Sequence, residues 1–324
     1  MTPEAINHSH SHSEGCSDGE IGKLIERLNS LKEGVRSAAD LARCGQRAVE
    51  PLRRFLLDGK PSGIFQPRQR AVEALAELGA RDVLIEYLTT ERQISDPVDR
   101  YGEEAVEGTA ARLLAEWRDD EVYRILLWLL RRRALPGLIE ALGGFRRSEV
   151  IPDFITALGD SIGRSFAEEA LAKLGEAAQW ALMVTARTPL PSADHETPTS
   201  LCRRRSALRL LAQLRVSAEE WHTLSPMADD RDPEISARVN RIALAAPDES
   251  GRKRAASRLI GMLPNAPWFL QIEIEGWLLE YSDITRGVIE DEIAARRLAA
   301  DAGGSTDDVL PRLLRLKHKI EAKQ

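Results

Sequence analysis

Three histidines and a cysteine near the N-terminus have side chains that could bind a metal ion. His8, His10, His12 and Cys16 lie in a polar tract rich in serine. Imidazole and thiolate groups suit Zn²⁺, Ni²⁺ or Cu²⁺. Such a tract provides neither a fixed geometry nor supporting hydrogen bonds. We therefore interpret 1–19 as a disordered His/Ser-rich tail and expect no bound cofactor, with metal binding as the weaker hypothesis.

Clusters of basic residues recur along the chain and could bind phosphate groups if they shared one face. Acidic residues lie close to several of them, for example Asp229, Asp230 and Asp232, and the formal net charge is −6. A net negative chain has no general attraction to nucleic acid. We therefore favour solvated helix ends over a nucleic-acid surface. This candidate basic ridge comprises Arg131, Arg132, Arg133, Arg203, Arg204, Arg205, Arg252, Lys253 and Arg254.

Four aromatic residues lie within one predicted helix at 267–281. They are Trp268, Phe269, Trp277 and Tyr281. Exposed aromatic side chains often anchor a protein partner, whereas aromatic residues at helical spacing usually pack in a core. Both interpretations stay open, and the four residues form our candidate partner-binding surface.

Familiar catalytic motifs are missing from the sequence. It contains no P-loop, no Gly-rich dinucleotide loop, no His-Glu-x-x-His motif and no Ser-His-Asp spacing. His222 and His318 stand alone. A binding protein is therefore better supported than an enzyme, although catalysis stays open.

Cysteine usage favours a reducing compartment. Cys16, Cys44 and Cys202 are odd in number, far apart and without metal-ligand spacing. The sequence does not open with a basic stretch followed by an apolar run, so no signal peptide is predicted. The most apolar stretch, 122–130, is interrupted by Arg124 and is too short to span a bilayer. We expect a cytoplasmic location without membrane association.

Helices are expected to position the candidate residues that follow the tail. From Glu20 onward, apolar residues recur at spacings of three and four, and strand patterns are nearly missing. The polar stretch 91–102, which holds Pro97 and Gly102, is expected to be a loop. The predicted organisation is a tail at 1–19, a helical array at 20–187, a proline-rich loop or hinge at 188–199, and a second array at 200–324 that ends in a capping helix at 307–322.

A short phrase recurs at intervals of about 34 residues, a period typical of stacked repeat proteins. It begins with arginine, continues with small and apolar residues at helical spacing, and ends at a helix breaker or a leucine. The clearest copies are Arg36–Gly45, Arg70–Gly79, Arg205–Leu214 and Arg238–Pro247.

These phrases resemble the HEAT-repeat family, particularly the short bacterial type found in phycobilin-lyase-related proteins, and the pattern extends over 20–300. The resemblance implies an all-α fold, a right-handed α-solenoid of antiparallel helix pairs, or HEAT-like superhelix. It also implies that the arginine of a phrase pairs with a nearby acidic residue. Glu33 before Arg36 and Asp232 before Arg238 match that arrangement.

Arrays of this kind serve many tasks, so the resemblance alone does not define function. We expect a non-catalytic scaffold or adaptor, monomeric or part of a hetero-complex, whose concave face binds another protein. Two alternatives remain. One is a chaperone or enzyme for a prosthetic group, like the phycobilin lyases. The other is a nucleic-acid-binding protein related to the HEAT-like DNA glycosylases.

Motifs of the catalytic HEAT-like branches are weakly represented. The DNA glycosylases carry a Trp-Asp-x-x-Asp motif, of which the run from Trp117 to Asp120 is a faint echo. HEAT-like di-iron hydroxylases carry several His-Glu pairs on helices, whereas this chain has one, at His195 and Glu196 in the proline-rich stretch. Neither activity is transferred to this chain.

Overall fold

The structure is a computed structural model that describes residues 16–191, 195–246, 248–301 and 309–322. Within these ranges, the α-helices in chain order are α1 (Asp18–Arg27), α2 (Gly34–Arg43), α3 (Val49–Leu57), α4 (Gln66–Glu77), α5 (Arg81–Thr89), α6 (Pro97–Leu114), α7 (Asp120–Arg132), α8 (Pro136–Gly143), α9 (Ile151–Ala157), α10 (Arg164–Leu174), α11 (Glu176–Arg187), α12 (Pro198–Leu211), α13 (Ala218–Leu224), α14 (Pro233–Leu244), α15 (Glu249–Met262), α16 (Trp268–Glu280), α17 (Ser282–Asp301) and α18 (Val309–Glu321).

The prediction of an all-α chain is confirmed. In the described ranges, β-structure is limited to an isolated antiparallel bridge between Pro191 and Glu196. None of the described helices combines the length and the apolar composition that crossing a membrane requires.

Two compact units divide the chain between Phe145 and Arg146. In the first unit, α2, α4, α6 and α8 pack each against the next, and α1, α3 and α5 do the same in a second layer. Its core includes the fully buried Leu52, Leu75 and Leu126. Because a short amphipathic helix is marginal alone, this stacking stabilises every member of both layers.

The second unit repeats the two-layer arrangement. Helices α10, α12, α14, α16 and α18 pack in succession, α9, α11 and α13 do likewise, and α15 packs on α17. Leu259, Leu270 and Leu313 belong to its buried cluster. The predicted terminal helix is present as α18. The stretch 188–199 lies inside this unit and joins α11 to α12, which pack on each other.

Three glycines end helices in the left-handed conformation. Gly45, Gly79 and Gly175 have φ angles of +68°, +69° and +56°. Any other residue would be strained there, since only glycine lacks the Cβ that opposes positive φ. The first two are the terminators of the repeated phrase, so the phrase marks real helix ends.

The prediction of a loop at 91–102 is wrong for the second half of this stretch. Helix α6 begins at Pro97, and the Asp96 carboxylate accepts hydrogen bonds from the backbone amides of Val98 (2.8 Å) and Asp99 (3.0 Å). Proline is well tolerated in the first helical turn because its missing N–H has no helical acceptor there. Pro97 therefore starts a helix and does not interrupt one.

The arginines of the repeated phrase do have structural partners, but not those expected. Asp232 accepts hydrogen bonds from Arg205, while Arg238 pairs with Glu234 and Glu273. The reason is that Asp232 caps the start of α14 and faces the preceding helix of the same layer, α12.

The expected pairing of Arg36 is likewise wrong. The nearest carboxylate to Arg36 is Asp40, one turn later at 3.8 Å, whereas Glu33 lies 4.0 Å from Arg27. Arg36 is largely exposed and precedes its partner on the same helix face, so a contact within α2 replaces one with the preceding turn.

The first two helices are joined covalently. Cys16, just before α1, forms a disulfide with Cys44 at the end of α2, with 5.3 Å between their Cα atoms. The expectation of fully reduced cysteines is therefore wrong. Residues far apart in sequence meet because α2 returns beside α1. Cysteine usage no longer supports a reducing compartment.

Replacing a core leucine should destabilise the first unit. Leu75→Ala removes a fully buried side chain, and we expect a loss of about 2–5 kcal/mol in the free energy of unfolding. Urea denaturation followed by circular dichroism measures it. The matched control is Leu31→Ala, because Leu31 is 86% exposed and its loss should cost under about 0.5 kcal/mol. Equal effects would show that the core is assigned to the wrong residues.

Thiol labelling should show one reactive cysteine. If the protein is purified without reductant, denatured and treated with iodoacetamide, we expect one adduct, on Cys202. Prior reduction should give three adducts, because the chain has three cysteines. Intact mass spectrometry reads both results, with Cys202→Ser as control. Three adducts without reductant would contradict the Cys16–Cys44 bond.

Candidate functional site

Helix α16 exposes large apolar side chains of a kind that folded proteins usually bury. Trp268 is 73% exposed, Phe269 44% and Ile272 59%, and all three lie on one face of the first turns. Leu270, at the opposite side, is fully buried. A helix that is apolar on every face normally lies inside a core. We call Trp268, Phe269 and Ile272 the α16 patch.

The other two predicted aromatic residues do not join this patch. Trp277 and Tyr281 are partly buried and pack against the core of the second unit. The guanidinium of Arg238 lies 5.7 Å from the Trp277 ring centre, and that of Arg241 lies 4.5 Å from the Tyr281 ring centre. The structure thus divides the predicted set into an exposed pair, Trp268 and Phe269, and a packed pair.

The first cluster of the candidate basic ridge is engaged in contacts within its own unit. Arg132 pairs with Glu91 and stacks over Trp128, with 4.6 Å to the ring centre. Arg133 pairs with Glu107 at 2.9 Å. Arg131, beside them, also has an interaction partner.

In the ridge cluster on α12, two of the three arginines form ion pairs with acidic residues. Arg204 is buried between Glu196 and Asp230, each at 2.7 Å, and Arg205 binds Asp232. Arg203 lies on the same helix, and its buried Nε has no hydrogen-bond acceptor in the described ranges.

The last ridge cluster is paired with acidic residues of its own unit. Arg252 binds Asp283 at 3.1 Å, Lys253 binds Glu249 at 2.9 Å, and Arg254 lies 3.8 Å from Asp248. A phosphate that approached these cations would therefore compete with carboxylates that already neutralise part of their charge.

Of the four predicted metal ligands, the structure describes only Cys16. His8, His10 and His12 lie outside the described residues, and Cys16 is bound to Cys44, so it offers no thiolate. Among the residues that the structure describes, no group of three or more His, Cys, Asp or Glu side chains could hold a metal ion.

A buried polar network in the first unit was not predicted from the sequence. Glu103 and Glu107 lie one turn apart on α6 and are both buried. Arg68 of α4 donates to both oxygens of Glu103, from Nε at 3.0 Å and from Nη2 at 2.9 Å. The Tyr87 hydroxyl donates a third hydrogen bond at 2.8 Å. Glu103 is thus fully neutralised inside the protein.

Among the described residues, Arg133 is the cation in direct contact with Glu107, while Arg92 acts on it through its charge alone. Arg133 Nη1 donates to its Oε1 at 3.0 Å and lies 2.9 Å from its Oε2. Burial raises the pKa of the Glu107 carboxyl, and the positive charge and hydrogen bond of Arg133 only partly oppose that effect. Glu107 is therefore a group that can hold a proton above the usual carboxyl range.

Arg92 belongs to the same network, but Tyr87 is its main contact. Its guanidinium stacks over the Tyr87 ring, 4.5 Å from the centre, and Nη1 donates to the Tyr87 carbonyl at 3.1 Å. The side chain is 11% exposed and lies 3.6 Å from Glu103, which Arg68 already neutralises. Within the described ranges, the buried Nη2 donates no hydrogen bond. Such a buried donor is costly to leave without an acceptor.

Two neighbouring clefts open onto this network. One, of about 180 Å³, is lined by Arg92, Arg100, Glu103, Glu107 and Arg133, among others, and we call it the arginine cleft. The second, of about 260 Å³, shares Arg92 and Arg133 and adds apolar walls and Trp128. The pair can accept an anionic group beside an apolar one.

The sequence carried one signal for this site. Glu103 and Glu107 stand at helical spacing among small and apolar residues, where a carboxylate must be paired if it is buried. The predicted loop at 91–102 ended just before Glu103, so this carboxylate was placed at a helix start, whereas it lies well inside α6. The partners Arg68 and Arg133 are too distant in sequence for local spacing to identify.

Comparisons with known proteins do not assign a family. No protein-family model and no curated protein matches the chain. Among solved structures, the crystal structure of an engineered protein from the Northeast Structural Genomics Consortium covers 94% of this chain and 97% of its own length. The identity is 15% and the TM-score 0.23, so this likeness carries no conclusion about fold or function.

Replacing Glu107 should change how stability depends on pH. The unfolded carboxyl ionises near its ordinary value of 4.5, whereas the native one retains its proton to higher pH. Wild-type stability therefore falls as pH rises from 4.5 through the raised native pKa. Glu107→Gln cannot ionise, so its stability relative to wild type should increase over that range. Urea titrations at a series of pH values measure the difference.

Asp232→Asn is the control of opposite sign. Burial of Asp232 opposes ionisation, but the hydrogen bonds from Arg205 and from the Ile235 amide outweigh it and lower the pKa below 3.8. Its contribution is present above 3.8 and is lost as pH falls through the native pKa. The cost of Asp232→Asn should therefore shrink in acid. The same pH trend for both variants would contradict these assignments.

Proposed function

We propose that this chain is a protein-binding scaffold and that the α16 patch is one of its contact surfaces. The observation that carries the proposal is the exposure of Trp268, Phe269 and Ile272 side by side on a helix whose opposite side is buried. Contiguous exposed apolar surface on a folded chain marks interaction sites. Tryptophan is also among the residues that contribute most to binding energy at interfaces.

The pairing of two acidic residues on α16 is consistent with an apolar surface on the partner. Glu273 and Glu275, on the same helix, pair with Arg238 and Arg312 of their own unit. These two carboxylates are therefore already paired, and neither adds an unpaired charge to the patch. Burying a side chain such as Ile272 in an interface contributes about 1.5–3 kcal/mol, which suits an aliphatic or aromatic surface of a protein partner.

The architecture we propose for the scaffold is a HEAT-like, right-handed α-solenoid whose concave face also binds protein. Three findings support it. Each unit has two layers in which a helix packs on the next but one. Left-handed glycines end helices at the repeated phrase. The buried ion pair Arg68–Glu103 and the half-buried ion pair Arg238–Glu273 join successive helices of a layer. The Cys16–Cys44 disulfide removes the cysteine-based argument for a cytoplasmic location.

Loss of the patch should weaken partner capture strongly. Tagged wild-type protein and the double variant Trp268→Ala, Phe269→Ala are used as baits in nuclease-treated native extract, with mass spectrometry as readout. A stoichiometric protein partner should be recovered by wild type and reduced at least about tenfold by the variant, since two interfacial aromatics are lost. Circular dichroism should show unchanged folding because both side chains are exposed.

The matched control is Trp180→Ala. Trp180 is 77% exposed and lies on α11 of the same unit, so it tests loss of an exposed tryptophan elsewhere. Its bait should recover the partner normally. Equal recovery by wild type and the double variant, or recovery that depends on nucleic acid, would contradict the proposed contact surface.

A further inference from the structure

We infer that the arginine cleft of the first unit is a second binding site, which takes a carboxylate of a peptide ligand on Arg92. The inference does not depend on the α16 patch, which lies in the other unit. It rests on the ion pairing inside the cleft, on the geometry of Arg92 and on the walls of the adjoining cleft.

Four carboxylates line the two clefts, and three of them have an arginine of their own. Glu103 is held by Arg68, Glu107 by Arg133 and Glu91 by Arg132. Arg92 is the additional cation, because its sole carboxylate contact, at 3.6 Å, is to a group that Arg68 already binds through two nitrogens. The fourth carboxylate, Glu104, and a further arginine, Arg100, also line the arginine cleft. Five arginines thus face four carboxylates, which leaves one positive charge that a further carboxylate would balance.

Arg92 is held ready to bind an anionic oxygen. Stacking on Tyr87 fixes the plane of the guanidinium, and the hydrogen bond from Nη1 to the Tyr87 carbonyl fixes its rotation. The other terminal nitrogen, Nη2, is buried and donates no hydrogen bond in the part of the chain that the structure describes. A planar guanidinium with fixed donors is suited to carboxylate geometry, and little side-chain entropy is lost when it binds.

The surroundings favour a singly charged peptide group over phosphate. Glu103 and Glu107 line the same cleft, so a dianion would meet repulsion that a monoanion meets less. Leu88, Leu129 and Trp128 line the adjoining cleft and can contact an aliphatic or aromatic side chain. The ligand that matches both clefts is an acidic residue, or a chain terminus, next to an apolar residue.

Short peptides test the assignment on the full-length protein. The probes are acetyl-Leu-Asp-amide and its isostere acetyl-Leu-Asn-amide, with inorganic phosphate as a third titrant, measured by calorimetry. We expect the Asp peptide to bind at least about tenfold more tightly than the Asn peptide and more tightly than phosphate, because only it brings a single negative charge and an apolar neighbour. Equal binding of the two peptides, or tighter binding of phosphate, would overturn the assignment.

Variants identify the residue responsible. Arg92→Gln should remove the preference for Asp over Asn, while Arg36→Gln, a largely exposed site in the same unit, should leave it intact. Because Arg92→Gln could impair folding, Arg92→Lys is measured as well. Lysine keeps the charge but not the planar donors, so the preference should fall without vanishing. A folded Arg92→Gln or Arg92→Lys protein with the wild-type preference would contradict the inference.

Discussion

The rest of the structure depends on one constraint, namely that each short helix needs neighbours on two sides. A helix the length of α2 or α4 cannot persist in water by its own hydrogen bonds. Each one gains stability by packing on its partner in the other layer and on the next helix of its own layer. Apolar area shared in this way is the dominant favourable term, and it places Leu52, Leu75 and Leu259 out of contact with water.

Close stacking decides which polar groups become buried and therefore which must be paired. At the contact of α6 and α8, a Cβ built on Gly137 would lie 2.3 Å from the Gly108 Cα, so the two backbones approach where any side chain would clash. Glu107, adjacent to Gly108 in sequence, is buried as well, and Arg133 provides the compensating charge. Arg92 is also mostly buried, but its one carboxylate contact, Glu103, is shared with Arg68.

Local features of the fold were predictable from sequence, and long-range ones were not. Helical spacing and the phrase ending at Gly45 or Gly79 report on interactions within one helix, so the all-α prediction succeeded. The acidic partner of Arg205 and the bond between Cys16 and Cys44 depend on how α-helices return beside one another, which local spacing does not encode. Of the aromatic set, residue type alone did not separate exposed Trp268 from packed Trp277, because α16 is apolar on both faces.

The disulfide also changes how tension would travel through the first unit. A pull applied on the N-terminal side of Cys16 passes through the sulfur–sulfur bond into the end of α2 and on to residue 45. The intervening segment, which includes all of α1, is bypassed and bears no load. Helix α1 would therefore keep its hydrogen bonds under a force that unravels other terminal helices, and the first element to yield would be one beyond Cys44. The N-terminal end of this chain is in effect a mechanical anchor point.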